Sequence, residues 1–132
     1  MTLVVKKYGG SSLSSVAKLK SIAKNINDLH YGSDQKLIIV LSAMGSSTDK
    51  LVNLSRRAVK DVNKRDYDML LSSGEQVSIA MLSMLINDLG GKAISLTGWQ
   101  AGIKTDSSHA NARIKSINCL LYTSDAADEK VR

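Results

Sequence analysis

Three short loops hold the side chains of this sequence that could do chemistry. The first, residues 7–12, reads Lys-Tyr-Gly-Gly-Ser-Ser and follows an apolar, β-branched run. Glycines let backbone N–H groups approach an anion closely, a helix that follows would direct its positive end at that anion, and Lys7 adds a point charge. The loop predicts a phosphate site, and the alternative is an ordinary turn between a strand and a helix. It matches neither G-x-G-x-x-G nor a Walker A motif.

The other two loops combine hydroxyl groups with acidic side chains. Residues 42–49 read Ser-Ala-Met-Gly-Ser-Ser-Thr-Asp, and such hydroxyls beside a helix N-terminus can bind a carboxylate or a phosphate oxygen. N-capping by Ser47 or Thr48 is the simpler interpretation of that pattern. Residues 72–75 read Ser-Ser-Gly-Glu. Glu75 in a first helical turn would stabilise the helix dipole, and the functional alternative is recognition of a substrate ammonium group.

Three apolar runs predict the strands that position these loops: residues 3–5, residues 36–42 and residues 92–97. Helical patterns separate them along the chain. This order predicts an α/β fold with a mainly parallel sheet and helices on both faces. Ligands of such sheets bind beyond the carboxyl ends of the strands, so we expect the loops to gather at one edge.

Apolar residues at helical spacing predict the connecting helices. The first starts at Ser14 and ends at Gly32, and the second starts near Thr48. A third starts at Ser73, because Ser73 and Gln76 have capping-box spacing. The predicted inner faces are Leu51, Val52, Leu54 and Ala58 in the second helix, and Val77, Ala80, Met81, Met84, Leu85 and Leu89 in the third.

Composition narrows the possible classes of function. The 132 residues carry a net charge of +6, but the bases are scattered and aromatic residues make up only 4 %, which argues against a nucleic-acid surface. A single cysteine excludes an intramolecular disulfide and a cysteine-rich metal site. The longest apolar run, residues 37–41, is too short to span a bilayer, and no signal peptide is evident. We expect a cytoplasmic protein without a nucleic-acid or membrane partner.

Four blocks follow one another along the chain: residues 4–13, residues 40–45 with 47–49, residues 69–78, and residues 96–105 with 109 and 111–114. Together these blocks resemble the aspartokinase family of the amino-acid kinase superfamily. The resemblance covers residues 2 to about 118. It implies an amino-acid kinase-like α/β/α sandwich, of which this chain holds an incomplete part.

The resemblance also implies an activity and its residues. The family transfers the γ-phosphoryl group of ATP, with Mg²⁺, to the β-carboxylate of L-aspartate and so forms 4-phospho-L-aspartate, the first step towards lysine, threonine and methionine. Carried over to this chain, the ATP-binding residues are Lys7, Gly9, Gly10, Ser11 and Ser42, with Lys7 also catalytic. The aspartate-binding residues are Ser47, Thr48, Glu75 and Arg113, with Glu75 pairing the amino group. No side chain is assigned to a metal, and the full-length parent is expected to be a homo-oligomer.

The resemblance ends after residue 118. Residues 1–118 are therefore predicted to be the N-terminal part of the catalytic domain, inactive alone, and residues 119–132 an unrelated or non-native tail. Deleting that tail should change the thermal midpoint little. Two other functions remain open at this point. The chain could belong to a kinase that acts on glutamate or carbamate, or it could be a small α/β module that binds an anion at Gly9 and Gly10 without catalysis.

Overall fold

The chain divides into two compact units, residues 1–95 and residues 96–132. The computed structural model describes residues 2–30 and 32–118. The predicted tail, residues 119–132, lies outside the described residues, so its assignment stays a prediction.

Two parallel strands form the sheet of the first unit. Strand β1 (Leu3–Tyr8) pairs with β2 (Lys36–Leu41) along its whole length, from Leu3 opposite Lys36 to Tyr8 opposite Leu41. Parallel neighbours need a crossover connection, and α1 (Val16–His30) provides it. Gly32 has φ +69°, a left-handed conformation that glycine adopts without strain, just after the end of α1. The predicted strand, helix and strand are confirmed here.

One face of this sheet is covered by helices. The buried core cluster joins Leu13, which precedes α1, to residues of α1, β2 and α3 (Lys64–Asp88), namely Leu19, Ala23, Ile26, Leu41, Leu82 and Ile86. On the opposite face Leu3, Val5 and Val40 are 45 %, 61 % and 46 % exposed. The α/β class with parallel pairing is confirmed, and within residues 2–30 and 32–118 the helical layer lies on this one face.

Helix α3 (Lys64–Asp88) runs without a break through the segment where a helix start was predicted. Its true N-cap is Asn63, whose side chain accepts hydrogen bonds from the N–H groups of Arg65 and Asp66. The prediction of a helix start at Ser73 is wrong, because the Ser73 hydroxyl donates to the Leu70 carbonyl one turn earlier in the same helix. Capping-box spacing arises by chance wherever Ser and Gln lie three residues apart inside a helix.

The buried stripe of α3 also differs from the predicted one. Gly74, Ser78, Leu82 and Ile86 are buried at four-residue intervals, whereas Val77, Met84 and Leu89 are 55 %, 65 % and 51 % exposed. The periodicity of large apolar residues misses this stripe because half of it consists of Gly and Ser. Small residues there allow close packing of α3 on its neighbours.

Helix α2 (Ser47–Ala58) packs against α3. Its predicted inner face is confirmed only in part, because Leu51 and Val52 are half-buried while Leu54 is 52 % exposed. Ser55 is buried instead, and its hydroxyl donates to the Val52 carbonyl at 2.7 Å. A hydroxyl satisfied within its own helix can be buried at little cost.

The predicted third strand, residues 92–97, does not form a strand in the described chain. A strand exists only where its backbone groups pair with another strand. Here the side chain of Asn87 takes that role for Ala93, since its Oδ1 accepts from the Ala93 N–H and its Nδ2 donates to the Ala93 carbonyl, both at 3.0 Å. The segment also crosses the boundary between the two units at residue 95.

The described part of the second unit is a small antiparallel hairpin. Strands β3 (Ile103–Thr105) and β4 (Ile114–Ile117) pair, with an irregularity between Lys104 and Thr105. The Asp106 carboxylate accepts hydrogen bonds from the N–H groups of Ser108 and Arg113 across the connecting turn. These two bonds, led by that of Ser108, lower the pKa of Asp106 below its ordinary value of 3.8.

Helix α3 alone, among the described helices, is long and apolar enough to cross a bilayer, with a mean hydropathy of 1.4 over an 18-residue window. The core helix of a soluble protein passes the same test, so this is weak evidence for a membrane segment. Of that window 22 % is buried, and Leu82 and Ile86 of α3 belong to the core cluster of the first unit.

Candidate functional site

The candidate site lies where β1 and β2 end side by side. We call residues 7–12 loop A and residues 42–46 loop B. The pairing of the strands continues one step beyond them, because the Ser42 N–H donates to the Tyr8 carbonyl at 3.2 Å. The two loops therefore leave the same edge of the sheet, as the sequence predicts for a parallel pair.

A backbone hydrogen bond joins the two loops. The Gly45 N–H donates to the Gly10 carbonyl at 2.9 Å, and Gly45 has φ +52°. A Cβ atom at position 10 would lie 3.1 Å from the carbonyl oxygens of both Ala43 and Gly45. Both glycines are thus needed for the close approach, one for conformation and one for space.

Loop A turns through a short helix before α1 begins. Gly9 is extended and caps a four-residue 3₁₀ helix, Gly10–Leu13, and the Ser12 N–H donates to the Gly9 carbonyl at 3.1 Å. The Lys18 ammonium donates to the Ser11 carbonyl at 2.9 Å and fixes that peptide. The helix that follows Gly9 is thus this single 3₁₀ turn, and α1 begins only at Val16. The case for a phosphate site rests on Lys7 and the loop's own N–H groups.

Lys7 lies on the exposed face of β1. Side chains alternate along a strand, so Lys7 shares that face with Val5, whereas Lys6 points to the half-buried face. The Lys6 ammonium lies 3.5 Å from Nε2 of His30. In the described part of the chain, Lys7 makes neither an ion pair nor a side-chain hydrogen bond. It is a free cation at the strand end that leads into the glycines.

Ser47 and Thr48 open α2, yet neither caps it. The N-cap is Ser46, which makes no side-chain cap bond, and the Ser47 N–H donates to the Met44 carbonyl at 2.9 Å. Within residues 2–30 and 32–118 the hydroxyls of Ser47 and Thr48 have no hydrogen-bond partner. The simpler interpretation, N-capping, is wrong, and both hydroxyls remain available to a ligand. Asp49 is the acidic residue of that first turn.

Glu75 lies in the middle of α3, so it cannot stabilise a helix N-terminus as the simpler interpretation holds. Its side chain is half-buried and, among the described residues, forms no hydrogen bond or ion pair. Its carboxylate is therefore available to a cation. The preceding residue, Gly74, packs against Ala43 of loop B and Leu51 of α2.

Arg113 belongs to the second unit, directly before β4, and is exposed. Its backbone N–H donates to Asp106 at 3.2 Å. Loops A and B and the Glu75 segment lie in the first unit. The packing of Ala43 in loop B against Gly74 in α3 was not predicted from the sequence. The one available signal was a glycine inside a helical pattern.

Comparisons with known proteins identify the family of this chain. The model of the amino acid kinase family matches residues 2–127. The chain is 48 % identical over 119 residues to an aspartokinase of Geobacillus stearothermophilus, covering 89 % of this chain and 29 % of that protein. It is 45 % identical over 130 residues to aspartokinase 2 of Bacillus subtilis, covering 98 % and 30 %.

The fold agrees as well. The crystal structure of aspartate kinase from Synechocystis matches with a TM-score of 0.72 at 45 % identity, over 77 % of this chain and 17 % of that one. The chain thus spans under a third of the length of these aspartokinases. The family match extends over nearly all of the chain, and the chain belongs to the amino acid kinase family.

Proposed function

We propose that this chain supplies ATP-binding and aspartate-binding loops of an aspartate kinase. The observation that carries the proposal is the junction of loop A, loop B and α3, held by the bond from Gly45 to Gly10 and by the packing of Gly74 on Ala43. The junction brings together segments that carry a free cation, free hydroxyls and a carboxylate without a partner. These groups suit a polyphosphate, a carboxylate and an ammonium group in turn.

In the proposed reaction the β-carboxylate of L-aspartate attacks the γ-phosphorus of ATP. A new O–P bond forms, the bond between that phosphorus and the β–γ bridging oxygen breaks, and ADP leaves with the electron pair. The side-chain carboxyl of aspartate, with an ordinary pKa of about 3.9, is already ionised at neutral pH. No general base is required, so catalysis comes from positioning and charge neutralisation.

Each proposed residue then has a physical task. Lys7, together with N–H groups of Gly9, Gly10 and Ser11, holds the phosphates and neutralises charge on the transferred group. Ser42 lies between the nucleotide and the acceptor. Glu75 pairs with the amino group of aspartate, which is a charge-assisted hydrogen bond. The remaining proposed contacts to substrate carboxylate are the hydroxyls of Ser47 and Thr48 and the guanidinium of Arg113.

Kinases of this kind use ATP with Mg²⁺. Within the described residues, no group of three or more His, Cys, Asp or Glu side chains could hold a metal ion. We propose that Mg²⁺ enters together with ATP, and we assign it no protein ligand and no step. A cytoplasmic location, a homo-oligomeric state and a role in amino-acid biosynthesis complete the proposal. The aspartokinase names of the relatives favour aspartate over glutamate or carbamate.

Glu75→Gln tests the proposal in the full-length protein that carries residues 1–118, called the full-length enzyme below. The change removes the charge but keeps the size, so we expect the KM for aspartate to rise roughly ten- to a hundred-fold, the value of about 1.5–3 kcal/mol for a hydrogen bond to a charged group. The KM for ATP should change little. Steady-state kinetics with each substrate varied in turn measures both.

The matched control is Asp88→Asn, which neutralises an exposed carboxylate near the end of the same helix. It should leave both KM values near those of the unmutated enzyme. Equal weakening of aspartate and ATP in Glu75→Gln would remove Glu75 from the aspartate site. An unmutated enzyme that phosphorylates glutamate or carbamate in preference to aspartate would contradict the substrate itself.

A further inference from the structure

We propose that Ala43 and Gly74 are positioning residues, which together set how close Glu75 comes to loops A and B. The inference rests on the proposed function and adds two residues that carry no reactive group. Its starting point is a glycine that the helix itself does not require. Gly74 is buried in the middle of α3, where glycine weakens a helix relative to alanine, and it is not one of the residues with positive φ.

The lack of room for a Cβ atom explains why position 74 is a glycine. A Cβ atom at position 74 would lie 3.0 Å from the Cβ of Ala43 and 3.3 Å from Cδ1 of Leu51. Non-bonded carbon atoms ordinarily lie about 3.5–4.0 Å apart. The Leu51 side chain can rotate away, but the Cβ of Ala43 is fixed to its backbone. An alanine at position 74 would therefore force α3 and loop B apart by roughly 0.5–1 Å.

Loop B cannot yield on its other side. Ala43 is 3 % exposed, and its carbonyl oxygen lies 3.1 Å from the position of a Cβ on Gly10. The bond from the Gly45 N–H to the Gly10 carbonyl holds the two loops together at 2.9 Å. Ala43 is therefore wedged between loop A and α3. Any added volume at position 74 moves the helix, and Glu75 moves with it.

The shift of α3 should weaken the binding of aspartate and leave the binding of ATP unchanged. Loop A, with Lys7 and the glycines, stays in place, so the proposed contacts to ATP are kept. Glu75 shifts away from Ser47 and Thr48, and its hydrogen bond to the substrate ammonium lengthens. A misplacement of about 1 Å at a site can cost up to roughly a hundred-fold in rate. The contact between positions 43 and 74 thus sets the distance between Glu75 and the ammonium group of aspartate.

The test is Gly74→Ala in the full-length enzyme, together with the double variant Ala43→Gly/Gly74→Ala. The single variant should raise the KM for aspartate roughly ten-fold or more and leave that for ATP within about two-fold. The double variant removes the methyl group from the opposite side of the contact and should restore the KM for aspartate. Gly98→Ala is the matched control, because no atom lies within 4 Å of its added Cβ.

Thermal unfolding separates positioning from a general loss of structure. Gly74→Ala should keep its thermal midpoint within a few degrees, since the gain in helix propensity offsets part of the crowding. If Gly74→Ala does not fold, Ala43→Gly alone decides. It loosens the same contact without crowding and should raise the KM for aspartate selectively, though by less.

Three results would overturn the inference: an unchanged KM for aspartate in Gly74→Ala, equal rises for both substrates, or a double variant that is not rescued. Glu75→Gln in the same enzyme distinguishes this failure from a failure of the proposed function. If Glu75→Gln raises the KM for aspartate while Gly74→Ala does not, Glu75 keeps its role and the positioning role of Ala43 and Gly74 is refuted. If Glu75→Gln has no selective effect, the proposed aspartate site itself is wrong.

Discussion

Replacing Lys7 by alanine in the full-length enzyme should abolish most of the turnover and leave the fold nearly unchanged. The side chain lies on the exposed face of β1 and has no ion pair or hydrogen bond in the described chain. Its removal should therefore change the free energy of unfolding by no more than about 0.5 kcal/mol. The backbone of loop A is held by the Gly45 bond and by Lys18, neither of which involves the Lys7 side chain.

The expected effect on kcat is much larger. Loss of one preorganised electrostatic contact to a reacting group typically costs roughly a hundred-fold in kcat, which corresponds to about 2.7 kcal/mol. A catalytic cation is distinguished from a solvated surface lysine because its loss raises the activation free energy far more than it lowers the free energy of unfolding. Lys7→Arg should recover only part of the rate, because a planar guanidinium does not replace a compact ammonium beside the glycines of loop A.

Lys6→Ala provides the matched control, since it removes the same side chain one position earlier and from the opposite face. Lys6 is half-buried and contacts His30, so its loss should lower stability more than that of Lys7 while kcat stays nearly normal. Coupled assays of ADP release give kcat, and thermal unfolding gives stability. Near-normal turnover in Lys7→Ala, or equal losses in both variants, would refute the phosphate-site assignment.

Two further predictions concern the fold. Asn63→Ala removes the acceptor of two N–H groups at the start of α3 and should cost about 1 kcal/mol in urea unfolding, whereas Ser73→Ala should cost little. Asp106 has a folded-state pKa below 3.8, so its contribution to stability is present above that value and is lost as pH falls through the folded pKa. Acid titration of stability should show this loss below about pH 4 and lack it in Asp106→Asn.

Local patterns in the sequence were enough for the strands and the first helix. Strand β1, strand β2 and α1 follow from apolar runs and three- to four-residue spacing, and Gly32 ends the helix where a glycine was expected. Their parallel pairing follows from the helical crossover between them. The same pattern predicted a strand at residues 92–97 wrongly, because a strand also needs a partner strand. The side chain of Asn87 bonds the backbone of Ala93 instead.

The candidate residues likewise divide into two kinds. The types and order of Lys7, the glycines, the hydroxyls and Glu75 can be read along the chain, because each loop adjoins a strand or helix with a clear pattern. Their simpler explanations could be removed only by the structure. Ser47 and Thr48 do not cap α2, and Glu75 is not in a first helical turn.

The sequence by itself determined which chemical groups this protein carries and the order in which its loops present them. Only the tertiary structure decided how those loops meet. The contact of Gly74 with Ala43, and of Ala43 with Gly10, joins residues far apart in the chain through the absence of side-chain atoms. Sequence periodicity predicts which large apolar residues are buried, but it does not predict where small residues allow two segments to approach closely. That approach depends on packing in three dimensions.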